Sequence, residues 1–218
     1  MAGDETENRA LLAELLEGVD VLDRAAFKEV IESVAAGNDE ESAQLVHLLY
    51  GNFTKLYSLT AEEAAQWRAS IDLLTDGSDK IELLYQFFAC LLADQGNTQT
   101  KMGYLNFIIS NGQGCLTEEE MTAEIRRIST DYEFKKSQTL FDAAIDYFER
   151  KGESPSFIKE LYLERLQIKH QQLDTTFERF SKFITENLPD SYDQEMRTAT
   201  TIYERTKDAQ VELAVLYT

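Results

Sequence analysis

The chain has 218 residues, 43% of them hydrophobic, and its forty acidic against twenty-one basic side chains give a formal net charge of −19. An average surface of that sign repels a phosphate backbone. Two isolated cysteines suit reduced thiols in an intracellular protein better than a disulfide framework, and no window approaches the roughly 18 apolar residues of a membrane span.

The opening, MAGDETENRA, is acidic and polar, unlike a signal peptide. Residues 1–6 read as disordered, and a helical array is expected over 7–218. With two prolines and no Gly-rich tract, long helices meet little opposition, and few stretches alternate as a strand must. The fold class is therefore all-α. A short helix near 7–17 carries Leu11, Leu12, Leu15 and Leu16. The next, near 23–36, carries Phe27, Val30, Ile31 and Val34 and stops at Gly37-Asn38. A longer helix near 40–57 places Leu45, Leu48, Leu49, Phe53, Leu56 and Tyr57 on one side.

From Thr60 the pattern tightens. Thr60-Ala61-Glu62-Glu63 is a capping box that opens a helix with Trp67, Ile71 and Leu74 facing inward. Asp76-Gly77-Ser78 ends it and starts another, which runs to about Asp94 through Ile81, Leu84, Tyr85, Phe88, Leu91 and Leu92. A helix near 98–110 carries Tyr104, Leu105, Phe107, Ile108 and Ile109. The glycines of Asn111–Gly114 read as a turn, followed by a second capping box, Thr117-Glu118-Glu119-Glu120. Helices near 138–151 and 155–168 come next, the latter with Pro155 in its first turn, where a missing N–H costs little. Helices at 173–187, 191–206 and from about Asp208 complete the chain.

The stretch from Phe157 to Glu186 holds two amphipathic runs separated by Lys169-His170-Gln171-Gln172, which predicts an antiparallel helix hairpin. Neither helix can bury its apolar stripe alone. Trp67, Tyr104, Phe141 and Phe177 are 37, 37 and 36 residues apart, each in the first helix of a pair. That period predicts an α-solenoid of antiparallel helix pairs, a superhelix of the tetratricopeptide-like kind. Trp67, Tyr85, Tyr104, Phe141, Tyr162, Phe177 and Tyr203 are its expected core aromatics. The apolar end, Val211 to Tyr217, lacks a polar cap, and a solenoid truncated at its C-terminus would look like this.

No pattern for chemistry stands out. His47 and His170 have no Cys or His partner at zinc-ligand spacing, and no G-x-S-x-G, H-E-x-x-H or Walker motif occurs. Glu118-Glu119-Glu120 is what a helix dipole favours in a first turn. The expectation is a protein that is not an enzyme and takes no cofactor or metal.

The helix pairs resemble HAT (half-a-tetratricopeptide) repeats. Gln66-Trp67, Gly103-Tyr104-Leu105-Asn106-Phe107 and Leu140-Phe141-Asp142-Ala143-Ala144 are similar to the first-helix element. Thr201-Ile202-Tyr203-Glu204-Arg205 and, more loosely, Leu161-Tyr162-Leu163-Glu164-Arg165 are similar to the second. Over residues 60–213, and most closely from Leu161-Tyr162 to Leu173-Asp174-Thr175-Thr176-Phe177, the chain resembles the N-terminal HAT array of spliceosomal U6 small nuclear RNA recycling and U4/U6 annealing factors. The resemblance implies a nuclear protein-interaction scaffold in U6 particle assembly, with RNA held by separate RNA-recognition motifs. Its partners would be ribonucleoprotein or other RNA-processing proteins, met through their basic segments, with no RNA contact by this piece and no membrane. HAT arrays often dimerise, which makes the C-terminal end a candidate homodimer contact. The alternatives are a HAT scaffold of pre-mRNA 3′-end processing or of another ribonucleoprotein, and direct RNA binding by the helices.

Overall fold

A computed structural model describes residues 2–94, 96–130, 133 and 135–216, with side-chain surroundings described between 8 and 211. Among the described residues there are eleven α-helices and no strand. The chain divides into two compact units, Met1–Thr100 and Lys101–Thr218.

The first unit holds α1 (Ala2–Leu15), α2 (Arg24–Ala35), α3 (Glu40–Phe53), α4 (Ala61–Asp72) and α5 (Ser78–Asp94). α1 begins inside the stretch whose composition read as disordered. Consecutive helices pack together from α2 to α5, and α3 also meets α1 and α5. A helix pair leaves one stripe of each member uncovered, so the next helix is recruited to it. Asp23 and Asp39 cap α2 and α3 by accepting backbone N–H groups, and both halves of the Thr60–Glu63 capping box are formed. Where α2 ends, Asn38 takes the left-handed conformation (φ 53°). Gly37 is needed for space, since a Cβ there would meet the Ser42 hydroxyl at 2.0 Å.

The second unit holds α6 (Thr98–Asn111, whose first turn falls in the first unit), α7 (Glu118–Ser129), α8 (Gln138–Lys151), α9 (Pro155–Leu166), α10 (Leu173–Asn187) and α11 (Tyr192–Leu216). α7 to α11 again pack each on the next, and α9 also meets α11. The glycines at 112–114 form a single 3₁₀ turn before the Thr117–Glu120 capping box, which is complete. α8 stops at Gly152 (φ 79°), with Gly152 N–H donating to Glu149 O and Glu153 N–H to Phe148 O, the two-bond ending that a left-handed residue permits. Ser154 then caps α9, with Pro155 at its first position.

The C-terminal part corrects the sequence reading. Instead of separate helices at 191–206 and from Asp208, α11 is one helix of 25 residues. No Gly or Pro interrupts 192–216, and Lys207 is anchored to Asp174 of α10 at 3.0 Å, so nothing ends the helix there. Val211 is exposed at 59%. The side chains of Leu213 and Leu216, and Tyr217 as a whole, lie outside the described residues. No described helix is long and apolar enough to cross a membrane.

Candidate interaction surface

The aromatics that set the sequence period fall into two groups. Trp67, Tyr104, Phe141 and Tyr162 are buried, at 0–3% exposure. Trp67 stacks on Tyr50 at 5.3 Å and meets Phe87 edge-on at 5.1 Å, so α3, α4 and α5 converge on it. Phe141 of α8 meets Tyr162 of α9 edge-on at 5.2 Å, and Tyr162 continues to Phe183 of α10 at 5.6 Å. Burial pushes the Tyr162 hydroxyl up to about 12, against the pull of the nearby Arg179 guanidinium. These rings are framework. Tyr85, Phe177 and Tyr203 depart from that expectation, being only half-buried. Phe177 and Tyr203 stack on each other at 4.5 Å, but α9 and α10 are the helices seen packing on α11, and they leave this pair partly open.

Both histidines are structural. Trp67 Nε1–H donates to His47 Nδ1 at 3.2 Å, which leaves His47 Nε2–H to donate to Gln86 Oε1 at 2.9 Å. Burial lowers the His47 pKa, against smaller opposing effects of Gln86 and Glu82. His170 is 1% exposed. Its Nδ1 lies 2.7 Å from Ile168 O and its Nε2 lies 2.8 Å from the Thr176 hydroxyl. Burial first, then the Arg165 guanidinium, lower its pKa to about 4. Around it, Arg165 donates to Ser137 Oγ at 2.9 Å and stands over the Phe141 ring, while Gln138 donates to Asp142. This polar seam locks α8, α9 and α10 in register, and a linear reading of His170 as a turn residue missed it. The signal that could have found it is a buried Arg and His bracketing one helix end. No group of His, Cys, Asp and Glu placed to hold a metal occurs among the described residues.

What remains for recognition is charge. Nineteen acidic and six basic residues fall in 1–100, a net −13; twenty-one and fifteen fall in 101–218, a net −6. In the first unit Arg24, Lys28, Arg68 and Lys80 already meet carboxylates of their own unit. Asp20, Glu29, Glu41, Glu62 and Asp79 are exposed and pair with no described cation. Glu40 accepts from Thr75 N–H at 2.9 Å, which brings the acidic start of α3 beside the α4–α5 turn with Asp76 and Asp79.

In the second unit the densest basic point of the sequence, Arg126-Arg127, is occupied. Arg126 bonds Glu164 of α9, and Arg127 bonds Glu124 at 2.7 Å. Arg179 pairs with Asp142, and Lys159 with Glu195 at 2.9 Å. Lys135 and Lys136 are exposed. The pairs of Arg126, Arg179 and Lys159 join different helices, whereas Arg127–Glu124 lies within α7.

No protein-family model matches the chain, and no curated protein matches it in sequence.

Proposed function

We propose that the chain is a solenoid of HAT-like helix pairs and works as a non-enzymatic, nuclear protein-interaction scaffold in the assembly of a spliceosomal U6 particle. The observation that carries this reading is the packing order. From α2 to α5 and from α7 to α11 helices meet their neighbours and, at α1–α3, α3–α5 and α9–α11, the next helix but one, as stacked hairpins do. Buried aromatics at Trp67, Tyr104 and Phe141, 37 residues apart, support a repeating unit. The spliceosomal assignment rests on the sequence resemblance alone.

The mechanism is surface display. The exposed acids of residues 1–100 attract a basic segment of a protein partner and steer its approach, while the buried rings hold the helices that present them. RNA is disfavoured because counterion release needs clustered bases, and most bases here are already bonded to carboxylates.

Two titrations across a salt series test this, one with U6 RNA and one with U6 ribonucleoprotein proteins. Retention of a protein with an on-rate that falls as salt rises, and no measurable RNA binding at physiological salt, is expected. Micromolar or tighter RNA binding with a steep salt slope overturns the scaffold reading, and failure to retain any of those proteins overturns the spliceosomal one.

A further inference from the structure

The connection from α9 to α10 and one face of α11 enclose a groove of about 560 Å³ lined by Gln167, Lys169, Ile202, Arg205, Thr206 and Ala209. The four α11 residues follow i, i+3, i+4, i+7 spacing and so share one stripe, from which Glu204 and Asp208 are rotated away. Lys169 and Arg205 make no hydrogen bond or ion pair with any described residue. In the same unit Arg126, Lys151, Lys159, Arg179 and Lys207 each meet a carboxylate.

Thr206 lines the groove, and its hydroxyl makes no hydrogen bond to a described residue. Thr198 and Thr201 of the same helix instead donate to Gln194 O and Arg197 O, at 3.2 and 3.0 Å. One residue beyond Ala209, Gln210 reaches His170 O with its amide nitrogen at 3.3 Å. Its amide oxygen is buried without a partner. The groove thus presents two cations and a hydroxyl that are not bonded to a described residue, whereas the Gln210 oxygen, an acceptor, calls for a donor and not for an anion.

We propose that the groove binds a phosphate monoester carried on a protein segment, a phosphoserine or phosphothreonine side chain. A monoester brings nearly two charges and three acceptor oxygens to one point, which answers two cations and a hydroxyl better than a carboxylate's two oxygens. It also fits the overall charge. A polynucleotide places a charge at every nucleotide against a surface of net −19, whereas one dianion interacts within about a Debye length of roughly 8–10 Å. The proposal rests on the scaffold reading only in taking the phosphate to arrive on a protein.

The test is ¹H–¹⁵N NMR of the whole chain titrated with a phosphoserine pentapeptide, its glutamate counterpart, inorganic phosphate and a short single-stranded RNA. The phosphopeptide should shift the amides of 167–169 and 205–209 saturably, and inorganic phosphate should shift the same amides more weakly. The glutamate peptide should bind about tenfold less tightly. Lys169→Glu with Arg205→Glu should weaken phosphopeptide binding at least about tenfold, and Lys182→Glu, an exposed charge elsewhere in the unit, should leave it unchanged. Thr206→Val, which keeps the buried volume, should weaken it about threefold and tests the groove even if the double variant fails to fold.

No saturable shift at these amides, or one indifferent to both the double charge reversal and Thr206→Val, overturns the proposal. So does RNA binding there more tightly than the phosphopeptide. Loss of ribonucleoprotein partners in the salt series leaves this titration untouched, so the two readings fail separately.

Discussion

The indole N–H of Trp67 donates to Nδ1 of His47 across 3.2 Å, tying the centre of α4 to α3 through a neutral imidazole. Protonating Nδ1 removes the acceptor, so the bond exists only while His47 is uncharged. Burial holds the His47 pKa below its ordinary value. The stability it contributes is therefore complete above the unfolded value of about 6.5 and is lost as pH falls through that value toward the folded one.

Trp67 is the single tryptophan, so its fluorescence reports this bond directly. Acidification through the lowered pKa of folded His47 should change the emission before global unfolding, and His47→Gln should abolish that transition. A transition that survives in the variant would place its source elsewhere. Trp67→Ala, at 0% exposure, should cost about 3–5 kcal/mol through lost burial and a cavity. An unchanged denaturant midpoint in the first unit would remove Trp67 from the core.

His170 makes the second unit acid-sensitive in the same direction. Its pKa falls to about 4 in the fold, so the unfolded state binds the extra proton between about pH 6.5 and 4. Stability should drop by about 2 kcal/mol between pH 7 and pH 5 from this residue alone. Urea titrations followed by near-ultraviolet circular dichroism should show a smaller pH dependence in His170→Gln. An equal slope in both proteins would contradict it.

The half-buried stack of Phe177 and Tyr203 predicts a graded result. Phe177→Ala should cost about 1–2 kcal/mol, well below Trp67→Ala, because part of the ring is already solvated and no closed cavity forms. Urea midpoints of the two variants, followed by circular dichroism, compare them. A loss as large as that of Trp67→Ala would mean that the stack is fully covered.

Helix positions were legible where local chemistry is strong. Thr60–Glu63 and Thr117–Glu120 announce their helices because both partners of each cap lie within four residues. The inward faces of α4 and α8 follow from apolar spacing alone. The run from 206 to 208 was misjudged because polar Thr206, Lys207 and Asp208 look like a break, and only the Lys207–Asp174 pair, 33 residues apart, shows otherwise. Burial of Phe177 was overestimated for a related reason. Its spacing matches Phe141, but exposure depends on what covers the outer face of α11, which is a tertiary matter. The Arg165–His170 seam and the groove at Lys169 and Arg205 likewise join residues far apart in sequence, where no local pattern marks them.

A last prediction concerns Arg24 and Glu63. Glu63 is 2% exposed and accepts two bonds from Arg24, at 2.9 and 2.7 Å, together with Thr60 N–H at 2.7 Å. Arg24 also donates to Ser58 O at 3.0 Å and lies over the rings of Phe53 and Tyr57. One guanidinium thus joins α2, the end of α3 and the start of α4. Burial alone would raise the Glu63 carboxyl, but the Thr60 bonds and then Arg24 outweigh it and hold it below the ordinary range. The stability it adds is present above the unfolded value of about 4.5 and is lost as pH falls through the folded one. Removing Arg24 strands a buried carboxylate, so Arg24→Met should destabilise by about 2–3 kcal/mol, less than for a fully buried pair because Arg24 is partly exposed. Glu63→Gln, which keeps the cap's shape, should cost less. A double-mutant cycle should give a coupling of about 1–2 kcal/mol at pH 7 that shrinks as pH falls through the lowered pKa of folded Glu63. Additive losses would show that the two side chains act on stability independently, through packing and capping alone.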